Sequence, residues 1–274
     1  VFLAIIGVLL TGACNEIPPK IPEFVPPSGD RKVLIEEFSG VQCPNCPAGA
    51  AQVENLIALY GDRIVAVTMH SHLTGILSAP FQDSKYDFRT ESADQIVSFL
   101  NLQGIPSATI DRVMFEGENE LALSPTKWAS KVEEALSKDA PVGIALNVQF
   151  DSLSRSLSAE VSVLAQENIN GDIRIHMGLV ESGLIDKQID GSELLENYEH
   201  NHILRTYLTD PKGDNIKNTL EEREQWSKIY SFDLPAQEKG WWAAENMYVF
   251  AFVSNITSNS IAVLQAEEVA LIND

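Results

Sequence analysis

Cys43 and Cys46 stand two residues apart in Cys43-Pro44-Asn45-Cys46, between a strand-like run, Val33-Leu34-Ile35-Glu36-Glu37-Phe38, and a helix-like run from Ala48 to Tyr60. Two thiols at this spacing on a strand-to-helix turn can close a disulfide, and they can also open another protein's. The turn sets Cys43 near the positive end of the following helix, where unpaired backbone N–H groups favour thiolate over thiol. Free cysteine titrates near ~8.5 and Cys-X-X-Cys turns lower this to roughly 3.5–7.5, so Cys43 is the expected attacking sulfur. Cys46, one turn further on and less exposed, is expected to resolve the mixed disulfide.

The residues around the pair, Glu37-Phe38-Ser39-Gly40-Val41-Gln42-Cys43-Pro44-Asn45-Cys46, resemble the thioredoxin active-site segment. Downstream, Gly104-Ile105-Pro106-Ser107-Ala108-Thr109-Ile110 is similar to the thioredoxin Ile-Pro-Thr segment, whose proline is cis and packs against the redox pair. The resemblance implies a thioredoxin-like α/β domain with catalytic Cys43, Cys46 and Glu37 and substrate-binding Ile105 and Pro106. A cis bond before Pro106 bends the chain so that the preceding backbone can pair with an extended substrate; a trans loop proline is the alternative. On a period-two strand either Glu36 or Glu37 points inward, and the spacing to Cys43 selects Glu37. A carboxyl in an apolar site has a raised pKa and can take the proton of Cys46 as the mixed disulfide resolves, whereas an exposed edge carboxylate would do nothing. Three departures from the pattern are Gln42 in place of Trp, Pro47 after the second cysteine, and the longer spacing from Cys46 to Pro106.

The elements that must position these groups follow from the apolar pattern. Ile64-Val65-Ala66-Val67-Thr68-Met69 is a second strand of the same kind, so strand, helix and strand make a parallel crossover unit whose C-terminal edge carries the cysteine turn. His70 and His72 fall at that edge and face the same way if the strand continues. They read as a metal pair, as an imidazole tuning the thiolate, or as a polar strand end. Ser78 to Gln103 is an insertion relative to the smallest thioredoxins; its helical stretch, Ala93 to Leu100, is expected to cover part of the active edge. Thr126 to Ser137 reads as a closing helix, started by Ser124-Pro125.

From Ala140 to Asp274 the apolar residues alternate in the strand period, as at Ile144, Leu146, Val148 and Phe150 or Ile173, Ile175, Met177 and Leu179. About seven strands without long helices predict an all-β immunoglobulin- or fibronectin-like sandwich over 140–274, behind the α/β domain at 31–139. His200 and His202 lie in Asn197-Tyr198-Glu199-His200-Asn201-His202-Ile203-Leu204-Arg205, a possible metal pair or polar residues in an inter-strand crossing. Trp241-Trp242 is a partner patch or a buried corner.

The start of the chain carries different information. Residues 1–13 are an apolar signal segment, too short for a bilayer of ~30 Å. Small residues before Cys14 resemble a bacterial lipobox, which implies cleavage there and acylation of Cys14. The chain has three cysteines, so Cys14 on lipid leaves one redox pair and no structural disulfide framework. Pro18, Pro19, Pro22, Pro26 and Pro27 make residues 14–30 an extended tether, at about 3.1 Å per residue. A net charge of −20 excludes nucleic acid as partner, because phosphate neutralisation needs clustered Lys and Arg.

Signal, tether, the Cys-Pro-Asn-Cys-Pro-Ala-Gly turn and the His-Asn-His-Ile-Leu-Arg run together resemble the twenty-eight-kilodalton outer-membrane lipoprotein family of Bacteroidetes. The expectation is an outer-membrane lipoprotein, periplasmic or cell-surface, that exchanges disulfides with extended polypeptides. It would need a redox recycling partner, no cofactor and no metal, with the membrane reached through its lipid anchor. The competing expectation is a non-catalytic lipoprotein that binds a protein or glycan through its sandwich, with Cys43–Cys46 a structural staple.

Overall fold

The computed structural model describes residues 31–238 and 240–272; the expected signal segment, Cys14 and the expected tether lie outside the described residues. The chain is mostly β-sheet with a few helices. β1 (Val33–Ser39) has all seven residues buried, because the sheet is covered on both faces, and Glu36 and Glu37 are therefore both interior. This corrects the either-or expected from a half-buried strand. α1 (Cys46–Tyr60) starts at the second cysteine, with Pro47 in its first turn, and stops at Gly61 at φ 61°. β2 (Ile64–His70) returns parallel to β1 in the register Val33↔Ile64 to Ser39↔His70, which brings both C-terminal ends to one edge.

α2 (Glu91–Leu100) begins where the Thr90 hydroxyl accepts the Ala93 N–H at 3.0 Å and ends at Asn101 in the left-handed conformation. Its Ala93, Ile96, Val97 and Leu100 pack with Leu34, Val65 and Val67. α2 thus sits across the sheet from α1, whose Val53 and Leu56 join Val33, Ile35 and Trp128. β3 (Ser107–Ile110) runs antiparallel to β1, β4 (Ala122–Leu123) adds beside it, and α3 (Pro125–Leu136) closes the unit. Trp128 of α3 is fully buried, its indole N–H donating to the Leu123 carbonyl at 2.8 Å.

The remaining strands are β5 (Val142–Asp151), β6 (Ser156–Ala165), β7 (Ile169–Glu181), β8 (Leu184–Asp190), β9 (Glu193–His200), β10 (Ile203–Tyr207), β11 (Asp214–Leu220), β12 (Gln225–Asp233), β13 (Met247–Ile256) and β14 (Val263–Ala270). A sheet in the order β12-β6-β5 faces β7, β11 and β13 across a core that includes Val161, Val163, Ile175, Met177, Val249 and Ala251, which makes a sandwich. One layer of that sandwich does not end there. Its strands continue through β10, which pairs in parallel with β2 at Ile203↔Thr68, so the order β14-β13-β7-β10-β2-β1-β3-β4 is one sheet with strands from both sides of residue 140. β8 and β9 stand apart as a two-stranded hairpin.

Two buried ion pairs fasten this sheet. Asp111 and Arg112 both have φ of 50°, a turn from which Asp111 accepts the Leu34 N–H and Arg112 reaches Glu36. Arg112 donates to both oxygens of Glu36, at 2.6 and 2.7 Å, and its guanidinium lies between the rings of Phe99 and Phe252. Arg31 donates to Asp111 at 2.6 Å and to the carbonyls of Val263 and Leu264, which ties the start of β1 to β14. Removing one partner of such a pair leaves a buried charge alone, at a cost of about 3–5 kcal/mol, whereas apolar replacement of both is far milder. Glu36→Leu and Arg112→Met alone should each lower the unfolding free energy in urea by about that much, and the double variant should recover most of it. A loss in the double variant equal to the sum of the two single losses would show that the pair is not coupled.

Candidate functional site

The turn after β1 carries Cys43 and Cys46, joined in a disulfide with their Cα atoms 5.4 Å apart. The Cys43 N–H donates to the Gly40 carbonyl and the Cys46 N–H to the Cys43 carbonyl, so the turn is wound tightly before α1 begins. Gly40 is required there, since a Cβ would overlap the Leu77 carbonyl. Gln42 is tied to the 3-10 turn His72–Ser78 and its exit: its N–H donates to the Leu77 carbonyl and its amide to that of Ala79, at 2.8 Å each.

The peptide between Ile105 and Pro106 is cis. Pro106 reaches α1 at Gly49, where an added Cβ would lie 3.3 Å from the proline ring, 3.2 Å from Trp128 and 2.9 Å from Oε1 of Glu37. Only a residue without a side chain lets α1 lie this close to all three. Glu37 is thus held under the first turn of α1, 1% exposed, with Oε2 accepting the Thr68 hydroxyl at 3.0 Å and Oε1 without a hydrogen-bond partner. Burial pushes its carboxyl up to about 7.

Cys43 is 2% exposed and Cys46 1%, so the expected difference in exposure between the two is absent. The cover over Cys43 is the β8–β9 hairpin rather than α2, which packs on the far face of the sheet. The Ile189 N–H donates to the Val41 carbonyl at 2.8 Å and the Gly191 N–H to that of Pro44 at 2.9 Å, while the Gln188 amide donates to the Gly40 and Cys43 carbonyls at 3.3 Å each. The 78–103 insertion contributes through Phe88, which packs with Val41, Leu184 and Ile203. Pro44 and Asn45 remain exposed at the tip.

Beyond Cys46 a cavity of about 310 Å³ opens between α1, the ends of β1 and β2, and the 198–203 segment. Glu37, Cys46, Glu54, His70, His200 and His202 all line it. The sequence pattern set His70 and His72 side by side. Instead Ser71 caps the 3-10 turn, leaving His70 buried edge-on to Phe88, and His72 at the surface with Nδ1 2.9 Å from Asp94. Burial holds the His70 imidazole down to about 3 and that of His200 to about 4, so both are neutral at physiological pH. Among the described residues no group of three or more His, Cys, Asp or Glu is arranged to hold a metal ion. The sequence pattern does not place His200 and His202 beside Cys46; two histidines bracketing an Asn in a polar stretch are its only signal. Trp241 and Trp242 stack on the buried Arg205, which pairs with Glu181, so they form a corner and not a patch.

A carboxyl that titrates near 4.5 unfolded and near 7 folded weakens the fold as pH rises between those values. Each tenfold difference in proton affinity between the two states is worth about 1.4 kcal/mol, so the loss reaches about 3 kcal/mol once both are ionised. Glu37→Gln should therefore be more stable than the parent by about that amount at pH 8, with the difference vanishing below pH 4.5. A pH-independent difference in urea denaturation would refute the buried-acid assignment.

Comparison with known proteins bears on this arrangement. A family model described as outer membrane protein Omp28 matches residues 93–274, more than half of the chain. Among solved structures, HBP35 of Porphyromonas gingivalis is similar with a TM-score of 0.67 and 19% identity, over 89% of this chain and 76% of that one. A protein of Agrobacterium tumefaciens is similar with a TM-score of 0.55 and 9% identity, over 90% of this chain and 97% of that one. A domain of the outer membrane lipoprotein Omp28 from Porphyromonas gingivalis aligns at 16% identity over 49% of this chain and 90% of that one, with a TM-score of 0.34, too low to carry an argument. At such identities the likenesses speak to the fold alone, and no curated protein matches. The family match covers the sandwich, the hairpin, the cis-proline segment and the His200–His202 run: the chain belongs to the outer membrane protein Omp28 family, and its address is the outer membrane.

Proposed function

We propose that this protein is an envelope thiol–disulfide exchange lipoprotein, anchored through Cys14, in which Cys43 attacks, Cys46 resolves and Glu37 takes and returns the resolving proton. The first half is read as thioredoxin-like: a parallel β1–α1–β2 crossover followed by antiparallel β3, β4 and α3, in the strand order β2-β1-β3-β4. The second half is read as a sandwich of the immunoglobulin or fibronectin kind. The observation that carries the reading is the meeting of a Cys-X-X-Cys disulfide, a cis-proline and a buried, unpaired carboxyl oxygen around Gly49. A staple needs none of the last two.

In the reduced protein the Cys43 thiolate displaces one sulfur of a substrate disulfide. Cys46 then loses its proton to Glu37 and attacks the Cys43 sulfur, and the substrate leaves as a dithiol. The reverse sequence oxidises a substrate dithiol. The backbone of Ile105, before the cis-proline, would pair with an extended polypeptide in this reading. A dithiol or disulfide protein of the envelope would recycle the pair.

A second reading has one observation in its favour. Cys43 lies under a hairpin held by two backbone and two side-chain hydrogen bonds, as suits an inert staple in a lipoprotein that binds a protein or glycan. The two readings separate on the reduced full-length protein. Exchange chemistry predicts an alkylation midpoint for Cys43 well below the ~8.5 of free cysteine, lost in Cys43→Ser. It also predicts that Lys187→Ala with Gln188→Ala, which loosens the hairpin's ties, speeds alkylation at least about threefold by shifting the covered state toward the open one. A midpoint at or above that of free cysteine, with no response to the hairpin variants, would leave the staple.

A further inference from the structure

Glu37 presents a difficulty to any exchange reaction at this site, because a proton delivered to a carboxyl 1% exposed must still reach solvent. The chain supplies a way out. His202 lines the cavity that also holds Glu37 and Cys46. Its Nε2 stands 3.5 Å from Oε1 of Glu54, a half-exposed carboxylate on α1, and its Nδ1 is buried with no hydrogen-bond partner. Glu37 and His202 interact electrostatically across the cavity, and the hydrogen bond from His202 holds the Glu54 carboxyl below the usual range.

The histidine is also placed with unusual firmness. Its φ of 56° lies in the left-handed region, its N–H donates to the Ser182 hydroxyl at 3.0 Å, and its carbonyl accepts the Thr68 N–H at 2.7 Å. The neighbouring Asn201 donates to Glu54 at 3.2 Å and accepts from the Gly183 N–H at 2.8 Å. A non-glycine residue held at positive φ is uncommon and is retained where the surroundings over-determine it.

From this geometry we infer that His202, with Glu54, is the proton port of the redox site, a positioning pair that relays protons between solvent and Glu37 through the cavity. The inference rests on the exchange reading above. The step is a proton transfer: Glu37 gives up the proton taken from Cys46, His202 accepts it on Nδ1 by way of cavity water, and the Nε2 proton passes to Glu54 and solvent. No electrons move in this step; they have already passed from the cysteine pair to the substrate disulfide. The other titratable groups around the port are His70 and His200, both neutral, Tyr198, Asp190 and Glu199, which line the same cavity, and Glu268, which interacts electrostatically with His202.

The test uses the reduced full-length protein and a fluorescent disulfide peptide, with turnover followed against pH. His202→Gly keeps the positive φ at no steric cost and leaves a ring-sized gap. It should slow turnover at neutral pH by at least about tenfold, and added imidazole should restore most of the rate. His202→Asn, also tolerant of this backbone, should be slow and unrescued, and Glu54→Gln should lower the rate and change the pH profile. A parent that exchanges with the peptide while His202→Gly and His202→Asn match it would overturn the port and leave the exchange reading standing. Slow variants that keep the parent's unfolding midpoint but gain nothing from imidazole would also overturn it. A parent inert toward the peptide would overturn the exchange reading itself, and the port with it.

Discussion

The pairing of β10 with β2 is the contact on which the rest of the arrangement depends. A single parallel register position, Ile203↔Thr68, together with the Thr68 N–H donated to the His202 carbonyl, makes one sheet of strands from both halves of the chain. The same contact fixes what arrives at the cysteines. Upstream of β10 the chain runs back through β9 and β8, so the hairpin falls across the cysteine turn, and His200 and His202 fall into the cavity beyond Cys46. Thr68 serves both sides, because its hydroxyl donates to Glu37 while its backbone holds the histidine loop.

A site assembled in this way carries opposed demands. In the proposed exchange reaction the carboxyl under α1 has to be dry enough to sit near neutrality and still trade protons, and the proposed port through the cavity would reconcile the two. The proposed exchange would also need reachable sulfurs, yet the hairpin engages the carbonyls of Val41 and Pro44 by backbone hydrogen bonds, the mode in which an added strand holds a polypeptide. Such a cover must give way before a substrate disulfide can approach Cys43. Its separateness suits that role, since β8 and β9 form their own two-stranded unit, bridged within by Lys187 to Glu196 and fastened at the side by Lys187 to Asp83. Ion pairs of that exposed kind contribute at most about 1 kcal/mol each.

What could be seen in the sequence was local. The cysteine turn, the cis-proline segment and Glu37 each announce themselves within a few residues, and the alternating apolar positions beyond residue 140 announce a β-rich second half. What could not be seen was long-range. Alternation did not distinguish Glu36 from Glu37, because β1 is covered on both faces and Glu36 is satisfied by Arg112, far along the chain. His70 and His72 parted because Ser71 ended the strand by capping a 3-10 turn. Glu193 to His200 is a mixed polar stretch with no core face to read, and its place over Cys43 comes from the β10–β2 contact.

If the Cys43–Cys46 bond is a working couple, its equilibrium reduction potential shows it most directly. Titration of the full-length protein against defined dithiol buffers should give a value between about −270 and −120 mV, the span of exchange proteins. A value below about −300 mV is that of a structural bridge and would contradict a redox role for the pair.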